Sequence, residues 1–355
     1  MSRIMTRLNG VYIVRKPSII TGVLILFLAT ALILSGCSSN AAGSGAKDTT
    51  GKNTDNVKIR IADTSTNPTF RVAIAKGFFE NRGIDAESIT FGSPAEGVNA
   101  LFIKQVDIAY GADFPVLNAL AKGEYSVIAS AGQTTDEAAA AWKLYARDDI
   151  QSGADLKGKK VSFIRGTFIP YLWDEYLKDQ GVALSDVTQI GQGAFDEAYI
   201  ALKQGDLDAA WVIGSALTDK FDALEGVHQL TDMSQTPIRL GMGLVSSNEF
   251  IQANPEKISD FLAALDEAST YAQAYPEEVA DLMYQETKQP KDATLKDLPI
   301  NPWEVGFTQA AYDSLAGQKQ YMVDTGIIEQ GFDLDTKLNL TSLQQALPEK
   351  VTYSK

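Results

Sequence analysis

The chain has 355 residues and carries 31 Lys and Arg residues against 45 Asp and Glu residues, which gives a net charge of −14. Such an acidic surface repels phosphate backbones, so nucleic acid is excluded as a partner. One Cys and one His exclude a disulfide framework and nearly every zinc site, and 45% apolar residues exclude a mainly disordered chain. The length exceeds what one ordinary core needs and indicates two lobes.

The first 36 residues have the order of a secretory signal. Two basic residues precede an apolar run over residues 19–34, and two small residues follow it. The run is slightly shorter than a membrane-spanning helix needs. We therefore predict a cleaved signal peptide over residues 1–36, with an uncleaved anchor as the alternative.

The segment Leu34-Ser35-Gly36-Cys37 resembles the lipobox of bacterial lipoproteins, and the only Cys of the chain stands in it. The resemblance implies acylation of Cys37, which would anchor the protein in the lipid bilayer because two acyl chains hold where one binds only marginally. A signal peptide with an incidental thiol is the alternative. Residues 37–56 carry no large apolar side chain and predict a flexible tether. The predicted location is extracytoplasmic, on the periplasmic side in a host with two membranes.

Strand and helix patterns alternate from residue 57 onward. Val57-Lys58-Ile59-Arg60-Ile61 alternates apolar with polar residues, and apolar residues at helical spacing follow from Phe70. A strand at Val161 and a helical stripe from Leu172 repeat this order. Asn254-Pro255-Glu256 predicts a helix start with Asn254 as its cap. The alternation predicts an α/β fold with parallel sheets.

The two parts of this pattern are similar to each other at an offset of about 101 residues. Residues 101–109 (LFIKQVDIA) align with residues 202–210 (LKQGDLDAA), and glycine turns before them agree approximately. Repeated units of this kind imply repeated architecture. We therefore predict two similar α/β halves with a crevice between them, and chance matching of common residues is the alternative.

Ligands of parallel sheets bind at the carboxyl ends of the strands, where loops lead into helices. Four such loops combine small residues with hydroxyls, amides or aromatic rings, and ordinary turn chemistry is the alternative for each. The predicted ligand-binding residues are Ser65, Thr66, Asn67 and Thr69, then Ala112, Asp113 and Phe114, then Arg165, Gly166, Thr167 and Phe168, and finally Gly214 and Ser215. Trp173 and Trp211 lie in apolar elements and are predicted to be core residues.

Asp155-Leu156-Lys157-Gly158-Lys159-Lys160-Val161, followed by Gly166-Thr167 at a helix start, resembles the second lobe of the ABC-importer solute-binding proteins for aliphatic sulfonates, taurine, nitrate and thiamine precursors. Ala112-Asp113-Phe114-Pro115 and Leu240-Gly241-Met242-Gly243-Leu244 extend the resemblance over most of the chain. It implies a type II periplasmic-binding fold, in which two α/β lobes, each a mainly parallel sheet flanked by helices, are joined by a two-segment hinge. Lobe 1 would comprise residues 57–145 and 240–355, and lobe 2 residues 146–239.

The same resemblance implies the function. It predicts a monomeric, lipid-anchored solute-binding component of an ABC import system, which captures a small organic anion such as a sulfonate or taurine and delivers it to the membrane subunits of the permease. No catalytic residue, cofactor or metal is expected. Arg165 and Arg239 are the first candidates for a partner of the anion, with a surface or interlobe ion pair as the alternative for each.

Three other functions stay open at this point. Val212-Ile213-Gly214-Ser215 departs from the aromatic, acidic and proline residues of sulfonate-binding relatives, so a heteroaromatic nutrient such as a thiamine pyrimidine precursor is an alternative ligand. A tethered extracellular hydrolase would need two carboxylates facing each other across the cleft. A structural or adhesive lipoprotein would bind no ligand. His228, the only His, lies in an exposed pattern and argues against a catalytic triad.

Overall fold

The computed structural model describes residues 56–133, 135–164, 166–301 and 303–354. The predicted signal peptide, the predicted lipidation site Cys37 and the tether up to residue 55 lie outside the described residues, as does Arg165. In the described ranges, none of the helices combines the length and the apolar character that a membrane crossing requires.

Strands and helices alternate along the chain, as the sequence predicts. The strands are β1 (Val57–Asp63), β2 (Ile84–Thr90), β3 (Ile108–Ala112), β4 (Tyr125–Gln133), β5 (Lys143–Arg147), β6 (Lys160–Ile164), β7 (Thr188–Gln192), β8 (Ala209–Val212), β9 (Val227–Asp232), β10 (Gly241–Ser247) and β11 (Val305–Gly306). The helices are α1 (Thr69–Ala75), α2 (Pro94–Phe102), α3 (Asp113–Ala121), α4 (Asp136–Ala140), α5 (Ile169–Asp179), α6 (Phe195–Gln204), α7 (Ser215–Asp222), α8 (Asn248–Ala253), α9 (Pro255–Ala274), α10 (Pro276–Thr287), α11 (Lys291–Asp297), α12 (Gln309–Asp324) and α13 (Thr341–Ala346).

The strands form two sheets with the same internal order. The first sheet runs β2-β1-β3-β10-β4-β11, and the second runs β7-β6-β8-β5-β9. Apart from the short edge strand β11, each sheet has one strand of opposite direction, β10 in the first and β5 in the second, between strands that run parallel to one another. The predicted α/β architecture is confirmed: most strands of each sheet share one direction, and the reversed strands make both sheets mixed.

The antiparallel strands are the ones by which the chain passes between the sheets. After β4 the chain enters the second sheet at Lys143, opposite Val212 at the end of β8. On its return it enters the first sheet at Gly241, beside Gln133 at the end of β4. Because each crossing strand starts where the parallel strands end, it must run in the opposite direction. The two short crossings therefore hold the carboxyl edges of both sheets near one another.

The predicted internal repeat is confirmed in the hydrogen bonding as well as in the strand order. Asp107 accepts from the backbone amide of Arg60 on β1 at 2.8 Å, and Asp208 accepts from that of Lys160 on β6 at 2.7 Å. Each aspartate thus fixes the strand that begins its half. The glutamates before them repeat too, since Glu96 and Glu197 accept from the amides of Gly92 and Gly193 at 3.0 and 2.9 Å.

Large aromatic side chains fill the layers between the sheets and their helices. Trp173 and Trp211 are fully buried, as the sequence predicts, with ring centroids 5.9 Å apart. On the first sheet, Phe261 of α9 stacks on Phe79 with centroids 5.0 Å apart. Helix α9 is therefore anchored to the first sheet.

Helix α9 starts at Pro255 as predicted, but Asn254 does not cap it through its side chain. The Asn254 side-chain amide donates to the carbonyl of Phe250 at 3.1 Å instead. The reason is that α8 ends at Ala253, so Asn254 follows one helix and precedes the next. Its side chain thus adds a second donor to a carbonyl that already accepts from the backbone amide of Asn254. Pro255 lacks an amide hydrogen, which costs nothing in the first turn of α9.

Candidate functional site

The loops at the carboxyl edges of the two sheets touch. A Cβ atom placed on Gly166, after β6, would lie 3.2 Å from the Cβ of Ala95 at the start of α2. One placed on Gly92, after β2, would lie 4.0 Å from the Cβ of Ala194 before α6. Gly166 has a φ of +71°, so a side chain there would be strained as well as crowded. The candidate site is the gap that these loops border.

The first predicted loop, between β1 and α1, is organised by a buried ion pair. Arg71 and Asp63 are 4% and 2% exposed, and Arg71 Nη1 lies 2.5 Å from Asp63 Oδ2. The same guanidinium donates to the carbonyls of Thr64 and Asn67 at 3.1 and 2.8 Å, and to the hydroxyl of Thr90 on β2 at 2.7 Å. The loop is thus held in one conformation from below, while its tip stays exposed at Ser65 and Thr66.

Asn67 carries a donor that has no partner in the described part of the chain. Its Oδ1 accepts from the amide and the hydroxyl of Thr69 at 2.9 and 2.8 Å, which closes a turn into α1. This pairing turns Nδ2 away from the helix, and Nδ2 is buried without a hydrogen bond. A buried donor left unpaired is costly, so such groups call for an explanation. Of the first loop, Asn67 is the residue best prepared for a ligand oxygen.

The second predicted loop is occupied by contacts within the protein. Asp113 Oδ2 accepts from the amide of Gly241 at 2.8 Å, from Ser314 Oγ at 2.5 Å and from Gln318 Nε2 at 2.9 Å. Asp113 is 2% exposed, and Ala112 and Phe114 are buried as well. Gly241 begins the returning strand β10, so Asp113 joins α3 to the second crossing and to α12. Its carboxylate therefore stabilises the place where the chain returns to the first sheet.

The buried carboxylate of Asp113 predicts a pH dependence of stability. Burial raises the pKa of Asp113 to about 6, although hydrogen bonds from Ser314 and Gly241 oppose the shift. The folded chain then holds this proton more tightly than the unfolded chain does, so the contribution of Asp113 to the free energy of unfolding falls as the pH rises from about 4 through 6. We expect Asp113→Asn to gain up to about 3 kcal/mol relative to wild type between pH 4 and pH 7.

Urea unfolding of both chains across this pH range measures the effect. Ser314→Ala serves as the matched variant, because it removes a donor that lowers the pKa and should steepen the pH dependence of the wild-type carboxyl. A difference between wild type and Asp113→Asn that stays constant with pH would contradict the prediction.

The third loop places an aromatic cluster beside the gap. Thr167 donates its hydroxyl to the carbonyl of Ile164 at 2.7 Å and so closes the turn before α5. Phe168 is buried, and its ring meets that of Trp142 edge to face with centroids 4.8 Å apart. Phe195, at the start of α6, meets the same indole at 5.4 Å. Trp142 lies in the first crossing, and sequence reasoning missed it because it looked only at the loops that follow strands.

The fourth loop is met by a carboxylate from a distant part of the chain. Gly214 has a φ of +90° and starts α7. The Ser215 hydroxyl and amide both donate to Asp297 Oδ1, at 2.5 and 3.1 Å. Burial raises the pKa of Asp297, and the two hydrogen bonds from Ser215 oppose that shift. Asp297 is a second residue that sequence reasoning did not identify.

Every arginine in the described ranges is paired with a carboxylate. The pairs are Arg60 with Asp107, Arg71 with Asp63, Arg82 with Glu267, Arg147 with Asp208, and Arg239 with Asp136. Arg239, predicted as a candidate partner of an anion, also donates to the carbonyls of Thr236 and Ile238 at 2.9 and 2.7 Å. Its guanidinium fastens the second crossing to Asp136, which corresponds to the alternative stated for it.

His228 lies away from this gap. It is opposite Ala146 on β5, whereas the fourth loop follows Val212, which is opposite Lys143 at the other end of that strand. Its Nδ1 lies 3.5 Å from Asp148 Oδ1. His228 therefore sits at the opposite edge of the second sheet and cannot reach a molecule held between the loops.

Comparison with known proteins assigns this architecture to a family. A protein of Bacillus subtilis whose name assigns it to aliphatic sulfonate binding is 24% identical over 336 residues, which covers 92% of this chain and 97% of that one. A 4-amino-5-hydroxymethyl-2-methylpyrimidine phosphate synthase of Saccharomyces cerevisiae is 26% identical over 58% of this chain and 63% of its own. Enzymes as well as binding proteins thus occur among its relatives.

The fold has a counterpart among solved structures. The periplasmic aliphatic sulphonate binding protein SsuA from Escherichia coli matches with a TM-score of 0.68 at 18% identity, over 79% of this chain and 92% of that one. The two sheets thus form a periplasmic-binding-protein fold, as the sequence resemblance implies. Residues 67–279, more than half of the chain, match the family described as NMT1/THI5 like. The chain therefore belongs to the NMT1/THI5-like family.

Proposed function

We propose that this protein is an extracytoplasmic, lipid-anchored receptor that captures a small organic anion, a sulfonate or a taurine-like molecule, between its two lobes and hands it to an ABC permease. The observation that carries the proposal is the buried Nδ2 of Asn67, a donor without a partner in the described part of the chain. It lies in the loop after β1, at the carboxyl edge of the first sheet. An amide nitrogen can only donate, so it requires an acceptor such as a ligand oxygen. A sulfonate group offers three acceptor oxygens.

The capture step needs no covalent chemistry. A ligand between the loops contacts both halves only when they are together, and that difference in affinity shifts the chain toward the closed arrangement. Of the acidic residues in these loops, Asp63 is paired with Arg71 and Asp113 accepts three hydrogen bonds from the protein. Together with the position of His228, this favours binding over hydrolysis.

The leader supports the proposed anchor, and the relatives support the proposed permease. Acylated Cys37 and the tether after it would hold the receptor close to the membrane that contains the permease. Relatives named for sulfonate binding support the ligand class. Arg165 stays a proposed ligand residue, together with Gly166, Thr167 and the loop around Gly214.

A second ligand class has its own support. All described arginines are paired with carboxylates, and the rings of Trp142, Phe168 and Phe195 form a cluster beside the gap. A flat, neutral heteroaromatic ring would find an apolar wall there and would need no free cation. A pyrimidine precursor of thiamine is the candidate of this kind.

Thermal unfolding of the whole chain in detergent distinguishes these functions. The panel comprises taurine, alkanesulfonates, nitrate, carboxylates and aminopyrimidines. A ligand present at about 100 times its Kd adds roughly 2.7 kcal/mol to the free energy of unfolding. We expect a sulfonate to raise the melting temperature most. Stabilisation by aminopyrimidines alone would support the second class, and a panel without any effect would contradict the receptor function.

A further inference from the structure

Helix α11 is attached to helices beside the first sheet and also contacts α7, a helix of the second half. Its Lys291 pairs with Asp281 of α10, and the carbonyl of Leu298, directly after it, accepts from Gln273 of α9 at 3.0 Å. Helix α10 is in turn tied to the end of α1 by the ion pair of Lys76 with Glu278 at 2.7 Å. These contacts fix α11 to the helices that cover the first sheet.

From this position, α11 contacts α7 of the second half through one negatively charged and one positively charged side chain. Asp297 Oδ1 accepts from the hydroxyl and the amide of Ser215, at 2.5 and 3.1 Å, where α7 begins. Lys296 Nζ lies 2.7 Å from Asp219 Oδ2, one turn further along. A carboxylate at the N-terminus of a helix and a lysine beside an acidic residue are both favourable placements.

The equivalent helices of the two halves differ in the source of the carboxylate near their N-terminus. Helix α3, the equivalent of α7 in the first half, starts with its own acidic residue, Asp113. Helix α7 has no acidic residue in its first turn, and its capping residue Gly214 has no side chain with which to bond the amides. Asp297 supplies the carboxylate that α7 lacks.

We infer that Asp297 sets the affinity for ligand by holding the two halves together, without touching the ligand itself. The inference rests on the proposed capture by closure. Opening of the hinge separates α11 from α7 and leaves Ser215 without this acceptor, so the bond counts only toward the closed arrangement. Loss of Asp297 should therefore speed ligand release, while the rate of capture should not fall.

The test compares Asp297→Ala and Ser215→Ala with their double variant, with taurine or the most stabilising compound of the panel as the probe. We expect the Kd of Asp297→Ala to rise about tenfold through the dissociation rate, measured by stopped-flow fluorescence. The double variant should be no weaker than Asp297→Ala alone, because Asp297→Ala already removes the acceptor of the Ser215 hydroxyl. Asp292→Ala removes the same charge from an exposed position of α11 and should leave both rates unchanged.

A second measurement needs no ligand. Spin labels at Ile103→Cys and Ile200→Cys, both exposed and one in each half, report the distance between the halves in a chain with Cys37→Ser. Asp297→Ala should shift the unliganded distribution toward longer distances. A distribution and a Kd equal to those of wild type would overturn the inference, as would an equal effect of Asp292→Ala. If no panel compound binds wild type, the proposed function fails while this distance still tests the role of Asp297.

Discussion

An Arg71→Ala variant is expected to lose about 3–5 kcal/mol of unfolding free energy and to lose ligand binding with it. The change leaves Asp63, which is 2% exposed, without its cation. Burial already raises the pKa of Asp63 and Arg71 opposes that shift, so the carboxyl would be protonated at neutral pH in the variant. The carbonyls of Thr64 and Asn67 lose their donor at the same time, and the loop that presents Asn67 is released.

The matched control is Arg82→Ala. Arg82 pairs with Glu267 at 3.0 Å, but both side chains are partly exposed, so this change should cost less than about 1 kcal/mol. Urea unfolding at pH 7 compares the two. A double variant, Arg71→Met with Asp63→Leu, should recover most of the stability because apolar groups replace the buried pair, while binding stays lost. Equal costs for Arg71→Ala and Arg82→Ala would contradict the role of the buried pair.

Those features of the sheets that depend on short stretches of sequence could be predicted. The alternation of strands and helices, and the repeat that relates Asp107 to Asp208, follow from residues close together in the chain. The resemblance predicted that the chain returns to lobe 1 at residue 240, but the position of β10 between β3 and β4 could not be predicted, because its sequence GMGLVSS reads like any buried strand. Its place depends on pairing with β3 and β4, which lie more than 100 residues earlier. Long-range pairing of this kind leaves no periodic signal.

The same distinction applies to the candidate site. Asn67 was predicted with its neighbours because hydroxyl and amide groups are concentrated just before a helix start, and its bonds to Thr69 show that this signal is local. Asp297 has no such signature, since its partner Ser215 lies 82 residues earlier. Arg239 was chosen for its charge alone, and Asp136, 103 residues away, is its partner. Sequence reasoning located the loops better than it located the charges that other segments bring to them.

The change Asn67→Asp is expected to weaken sulfonate binding at least about 100-fold while the fold is retained. The remaining Oδ1 of an aspartate can still accept from the amide and hydroxyl of Thr69, so the turn into α1 is preserved. The second oxygen replaces the Nδ2 donor and brings a negative charge toward an anionic ligand. Isothermal titration calorimetry measures the affinity, and unfolding by urea checks that stability is kept.

The same series of titrations includes a control variant and distinguishes the two ligand classes. Asn81→Asp makes the same chemical change at an exposed position outside the four loops and should change the Kd by less than about twofold. Unchanged sulfonate binding by Asn67→Asp would contradict the donor role of Nδ2. An aminopyrimidine carries an amino group that can donate a hydrogen bond to an aspartate. Aminopyrimidine binding should therefore be kept or strengthened by Asn67→Asp. The ratio of the two affinities in one variant therefore separates an anion receptor from a pyrimidine receptor, because the substituted atom changes from donor to acceptor while the loop stays the same.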